Sequence, residues 1–190
     1  MTSPAAPSFS AVLLAGGRST RMGRDKALLD WDGVPLWRRQ WATLEALKPR
    51  EIVWSGFPRP GLPASYRIVA DAEPDRGPLG GLVAVLEALE HDLVVVLAVD
   101  LPEMTPAYLG KLLRLAAPGK GAVPHNGEFF EPLAAVYPRE LAPLAARTLR
   151  EGGAPHRMIR AGIAAGLLVE VPVEESERPL FRNVNTPDDL

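Results

Sequence analysis

Residues 13–29 read LLAGGRSTRMGRDKALL, and this stretch gathers three glycines, three arginines and a lysine between two apolar runs. A chain that leaves an apolar run through Gly16-Gly17 can bring bare backbone close to a ligand, and a helical turn after it would aim free N–H groups at negative charge. Arg18, Arg21, Arg24 and Lys26 add mobile cations around that point. A polyphosphate suits such a group. When a triphosphate is attacked at its α-phosphorus it sheds pyrophosphate, and cations that bridge several phosphates stabilise both the developing charge and the leaving group. Arg21 can grip two oxygens at once, whereas Lys26 acts as a point charge. The spacing fits neither the Walker A pattern nor G-x-G-x-x-G. On composition alone, a plain Gly-Gly turn beside a solvated basic face accounts for the segment equally well.

Two aspartates and two asparagines complete the set of candidates. Asp100 ends the run LVVVLAVD and is followed by Leu101-Pro102, so it stands where a strand must stop, either as an oxygen donor to a ligand or as the cap of the next turn. Asp71 follows YRIVA and precedes the turn-rich EPDRGPLGG. Asn183 and Asn185, in FRNVNTPDDL, alternate in a strand-like pattern and carry amides that both donate and accept. His125 and His156 have no metal-ligand spacing, and no Ser/His/Asp triad is discernible.

The elements that would hold these residues alternate between short apolar runs and helical patterns, which argues for parallel strands covered by helices on both faces. FSAVLLA, EIVWSG, YRIVA and LVVVLAV read as strands, the last apolar on both faces and therefore central. LWRRQWATLEAL, LGGLVAVLEALE and TPAYLGKLLRLA read as helices, the third opened by a Thr-Pro pair. GAVPHNGEFFEPLAAVYP suggests two short strands around a His-Asn-Gly turn, ELAPLAARTLREGG a helix interrupted early by Pro143, and GLLVEVPV a last strand. Thr186-Pro187 is placed to open a short final helix.

Bulk properties narrow the function classes. The 190 residues are 47% hydrophobic, enough for one sizeable core, so a single domain over residues 1–190 is expected, with the first eight fraying. A formal net charge of −2 gives no overall basic balance, so nucleic acid is not an expected partner. The absence of cysteine excludes disulfides, thiolate metal sites and cysteine nucleophiles. The longest apolar run, Leu93–Val99, is too short to cross a bilayer, and the start lacks a signal-peptide pattern; a soluble cytoplasmic protein without a membrane partner is expected.

The segment LLAGGRSTRMGRDKALL resembles the signature L-A-G-G/A-x-S-x-R-M-G-x-x-K of nucleotidyltransferases, in the Gly-Gly form found in molybdenum cofactor guanylyltransferases. That resemblance extends through GPLGG and Asp100-Leu-Pro to the closing N-x-N-T-P. It implies an α/β, three-layer Rossmann-like nucleotidyltransferase fold with a mostly parallel central sheet, and transfer of GMP from GTP to molybdopterin with Mg2+ as the ion. It further implies that Leu14, Ala15, Gly16, Gly17 and Asp71 bind the nucleotide, that Arg21 and Lys26 hold the triphosphate, and that Asp100 is the metal ligand. Asn183 and Asn185 would face molybdopterin, and other molybdenum cofactor biosynthesis proteins or recipient enzymes are implied as partners. Cytidylyl transfer from CTP and a catalytically idle nucleotide-binding adaptor are the competing expectations.

Overall fold

The computed structural model describes residues 8–15, 25–59, 61–71 and 76–184. Strand β1 (Phe9–Leu14) is flanked by β4 (Ile52–Ser55) and β6 (Leu93–Ala98), and β5 (Arg67–Val69) lies outside β4. Beyond β6 come β8 (Ala134–Pro138), β7 (Gly121–His125) and β9 (Leu168–Pro172), giving the order β5-β4-β1-β6-β8-β7-β9. All neighbours pair in parallel except β8, which runs against both β6 and β7. This is the mostly parallel sheet the sequence predicts. Among the described residues no helix is long and apolar enough to cross a membrane.

Side chains of the central strands alternate between two buried layers. Ala11, Leu13, Val95 and Leu97 face α1 (Leu36–Glu45) and α3 (Pro106–Leu115), while Val12, Leu14, Val94 and Val96 face α2 (Gly77–Ala88), α4 (Ala142–Arg150) and α5 (Pro155–Ala164). β6 is buried along its whole length, as a strand covered on both faces must be. Thr105 caps α3 by accepting from the Tyr108 N–H at 3.3 Å, satisfying one of the donors a helix start leaves free.

The structure departs from the expected elements in several places. Pro143 does not interrupt a helix: a 3-10 turn over Arg139–Leu141 leads into α4, and Pro143 sits in its first turn, where the missing N–H has no partner to lose. Helix α5 went unpredicted, as did the hairpin of β2 (Asp30–Trp31) and β3 (Val34–Pro35). Its turn is Asp32-Gly33, both at positive φ, the Asp-Gly signal of a tight hairpin. Ser8, the first residue described, donates its hydroxyl to Asp92 at 2.9 Å. Asn183 lies in no strand; it follows a 3-10 segment over Glu175–Phe181, while Thr186-Pro187 falls outside the described residues.

The packing between β7, β8 and β9 leaves no room at Gly121. A Cβ there would meet the Val136 carbonyl inside contact distance, with Pro138 Cδ at 2.7 Å and Leu168 Cδ2 at 2.9 Å. Backbone cannot move aside cheaply. Gly121→Ala is therefore expected to cost about 1–3 kcal/mol by overpacking, read as a lower denaturation midpoint in urea at unchanged m.

Candidate active site

In strand order, the chain proceeds from β1 outward to β4 and β5 on one side, then crosses back to place β6 on the other. The carboxyl ends of β1 and β6 thus flank the switch point where ligands bind in open α/β sheets. Leu14 and Ala15 end β1 there, both buried, with the Ala15 N–H donating to Ser55 O at 3.0 Å and the Leu14 carbonyl accepting from Val99 N at 3.0 Å. Gly16, Gly17 and Arg21, with Arg18 and Arg24, lie outside the described residues. The chain re-enters at Asp25, whose carboxylate caps the 3-10 turn Lys26–Leu28 by accepting from the Ala27 N–H at 3.1 Å.

That turn carries Lys26 to Asp100. The Lys26 ammonium lies 3.3 Å from Asp100 Oδ2, and each side chain keeps about a fifth of its surface exposed. Helix α1 braces the loop behind the aspartate. Gln40, fully buried, donates through Nε2 to the Leu101 carbonyl, and Arg39 Nε donates to the Pro102 carbonyl at 2.7 Å. The Asp100 carbonyl accepts from Val184 N at 3.0 Å, which brings the C-terminal segment, and the exposed Asn183 beside Val184, to the same edge. Asn185 falls outside the described residues.

On the other side of β1 the site is polar and unsatisfied. Asp71 Oδ1 and Ser55 Oγ are buried and have no hydrogen-bond partner among the described residues. Both converge on Gly81 in α2, where a Cβ would stand 3.0 Å from Asp71 Oδ1, 3.1 Å from Ser55 Oγ and 3.6 Å from Leu14 Cδ2. Burial raises the Asp71 pKa above the ordinary carboxylate value. That oxygen has no donor among the described residues, and a ligand N–H would supply one.

The sequence reading missed Arg59. Its guanidinium donates to the Ala15 carbonyl at 3.2 Å and the Phe57 carbonyl at 3.0 Å and pairs with Asp25. One side chain thus ties together the two stems from which residues 16–24 depart. No sequence signal marks it, because an arginine in a Pro-Gly loop reads as solvated surface. Leu14, Ala15, Lys26, Asp71 and Asp100 are brought to one sheet edge, and Asn183 reaches it through Val184.

A family model described as MobA-like NTP transferase domain matches residues 11–166. The chain is similar to a molybdenum cofactor guanylyltransferase of Xanthomonas euvesicatoria, 39% identical over 95% of this chain and 91% of that protein. It is likewise similar to one of Pseudomonas putida, 35% identical over 98% and 97%. The crystal structure of molybdopterin-guanine dinucleotide biosynthesis protein A from Archaeoglobus fulgidus shares the fold, with a TM-score of 0.71 at 24% identity over 95% of this chain and 94% of that one. A sheet with its switch point between β1 and β6, an ion pair seated there and matches along nearly the whole length lead to one conclusion: the chain belongs to the MobA-like NTP transferase domain family.

Proposed function

We propose that the protein transfers GMP from GTP to molybdopterin and releases pyrophosphate, as the names of its relatives indicate for them. The observation that carries this reading is the Lys26–Asp100 pair at the β1/β6 switch point. An ammonium and a carboxylate in contact at a half-open edge are each ready to exchange partners when a polyphosphate and its cation arrive. Lys26 then donates to phosphate oxygens, and Arg21 is the second cation for the triphosphate. The acceptor's phosphate is already ionised at neutral pH, so no general base is needed. Its oxygen forms a bond to the α-phosphorus as the bond to the bridging oxygen of pyrophosphate breaks.

Mg2+ fits the residues present. No group of three or more His, Asp or Glu side chains among the described residues could cage an ion, but Mg2+ is commonly held by one or two carboxylates with substrate phosphates and water completing its shell. Asp100 would hold it. When bound, Mg2+ supplies charge neutralisation and orientation of the phosphates. Asp71 is the acceptor for the adjacent N1–H and amino donors of guanine. The backbone of Leu14, Ala15, Gly16 and Gly17 lies against the nucleotide, and Asn183 and Asn185 belong to the acceptor side.

Incubation of the protein with molybdopterin, Mg2+ and each of the four nucleoside triphosphates tests the reading directly. Pyrophosphate is expected with GTP well above the other three, and Asp100→Asn is expected to lower turnover by about 100-fold or more while the fold persists. Preference for CTP, or near wild-type turnover of Asp100→Asn at limiting Mg2+, contradicts it.

The unsatisfied Asp71 carboxylate has a consequence for stability. Because its folded pKa is raised, its ionised form opposes folding, and that penalty appears as pH rises through the folded value and is absent below the ordinary aspartate pKa of about 3.9. Asp71→Asn is therefore expected to raise the melting temperature of the ligand-free protein at pH 7. The gain should fade toward pH 4, while discrimination for GTP is lost. A calorimetric pH series on both proteins measures the difference.

A further inference from the structure

We propose that Glu131, with the Asn126 amide beside it and the Tyr108 hydroxyl at the same end of the sheet, receives the amino-pyrimidinone edge of the acceptor's pterin ring; this rests on the acceptor assigned above. β8 runs against β6, so the residues that lead into β8 lie at the carboxyl end of β6, and the Ala98 N–H donates to Leu133 O at 2.7 Å. Asp100 follows two residues after Ala98. Glu131 therefore stands on the same sheet edge as Asp100, on the side away from Asp71 in strand order.

Glu131 is held in place but not used. Its N–H donates to Pro124 O at 2.9 Å, and its Oε1 accepts from Asn126 Nδ2 at 3.2 Å, its one side-chain hydrogen bond among the described residues. Asn126 cannot turn away, because its Oδ1 accepts from the Phe129 and Glu128 N–H groups at 2.8 and 3.1 Å. The carboxylate is half-buried, and burial raises its pKa.

Tyr108 supplies the second, independent sign of a ligand. The residue is 3% exposed, yet its hydroxyl has no hydrogen-bond partner among the described residues. Its ring is fixed edge-on by Phe181 at 5.3 Å, with the Lys111 ammonium 5.3 Å from the ring centre and locked to Glu177 at 2.7 and 2.9 Å. Burial, and then the charges of Glu177 and Glu131, push the hydroxyl pKa up and keep its proton on. Tyr108 lies in the first turn of α3, the helix that packs on β7 and β8, and Glu131 sits in the loop between those two strands.

A pterin presents a 2-amino group and N3–H side by side, with a carbonyl next to them. A carboxylate takes the paired donors and a tyrosine O–H donates to the carbonyl. Guanine shows the same donor edge, so a reaction that links a guanine nucleotide to the phosphate of a pterin brings two such edges to one protein, and Asp71 and Glu131 would take one each. Asp71 follows β5 and Glu131 leads into β8, so they lie on either side of Asp100, four strand spacings apart in strand order, or about 19 Å.

The test uses fluorescence titration of 6-hydroxymethylpterin against 6-hydroxymethyl-lumazine, which lacks the amino donor. The intact protein is expected to prefer the pterin by roughly tenfold or more, and Glu131→Gln to bring the two ligands within about twofold of each other at unchanged GTP affinity. Tyr108→Phe, which keeps the ring packing, is expected to weaken the pterin by roughly tenfold. A wild type that does not discriminate, or a Glu131→Gln protein that still does, overturns the assignment. Guanylyl transfer to molybdopterin is measured alongside. Transfer with an unchanged molybdopterin KM in Glu131→Gln overturns this inference alone, whereas no transfer by the wild type overturns the acceptor reading and this inference with it.

Discussion

The pairing of β1 with β6 is the constraint on which the rest depends. Six consecutive residues are in register, from Phe9 opposite Leu93 to Leu14 opposite Ala98, and every β6 side chain is buried. A slip of one residue would turn each apolar side chain to the wrong layer, so the register is fixed by burial. It follows that the two chain ends that leave these strands, Ala15 and Asp100, emerge side by side. The Lys26 ammonium reaches Asp100 because the chain beyond Ala15 returns to the same edge at Asp25, with Arg59 bonded to both stems.

The two ends of the sheet are treated differently. At the amino end, the buried Ser10 hydroxyl bonds to His91 Nδ1 at 2.7 Å and Glu51 at 3.1 Å, and Glu51 also pairs with Arg67 at 2.6 Å, so polar groups there satisfy one another. At the carboxyl end, Ser55 Oγ, Asp71 Oδ1 and the Tyr108 hydroxyl are buried without partners among the described residues. Each such group costs about 1–3 kcal/mol relative to a satisfied one. A protein carries that cost where a ligand will supply the missing bonds, and the closed opposite edge holds the frame in which it does so.

Much of this was legible in the residues themselves. The strand that reads LVVVLAV is central because nothing in it tolerates water, and the position of Asp100 followed from where that run stops. The Gly-Gly turn and its cations were compatible with phosphate on charge alone, but a plain turn beside a solvated basic face fitted them as well. What the sequence did not disclose was set by contacts between distant segments. Arg59, Gln40 and Arg39 look like ordinary loop and helix residues until the fold places them against the Ala15, Leu101 and Pro102 carbonyls. Helix α5 was overlooked because PHRMIRAGIA lacks an N-cap side chain, and its few buried residues, Met158, Ile159 and Gly162, give a thin apolar stripe. Asn183 was read as strand from its alternation with Asn185, whereas Val184 bonds to the Asp100 carbonyl from an irregular segment.

The central claim is that the β1/β6 switch point is where the metal-bound triphosphate sits. Mn2+ in place of Mg2+, added with GTP to isotopically labelled protein, relaxes the amide signals nearest the ion and so reports its location. The account predicts strong broadening at Ala15, Lys26 and Asp100, with Ser10 and His91 at the opposite edge unaffected. Broadening centred elsewhere, or none at Asp100 when GTP is saturating, would contradict it.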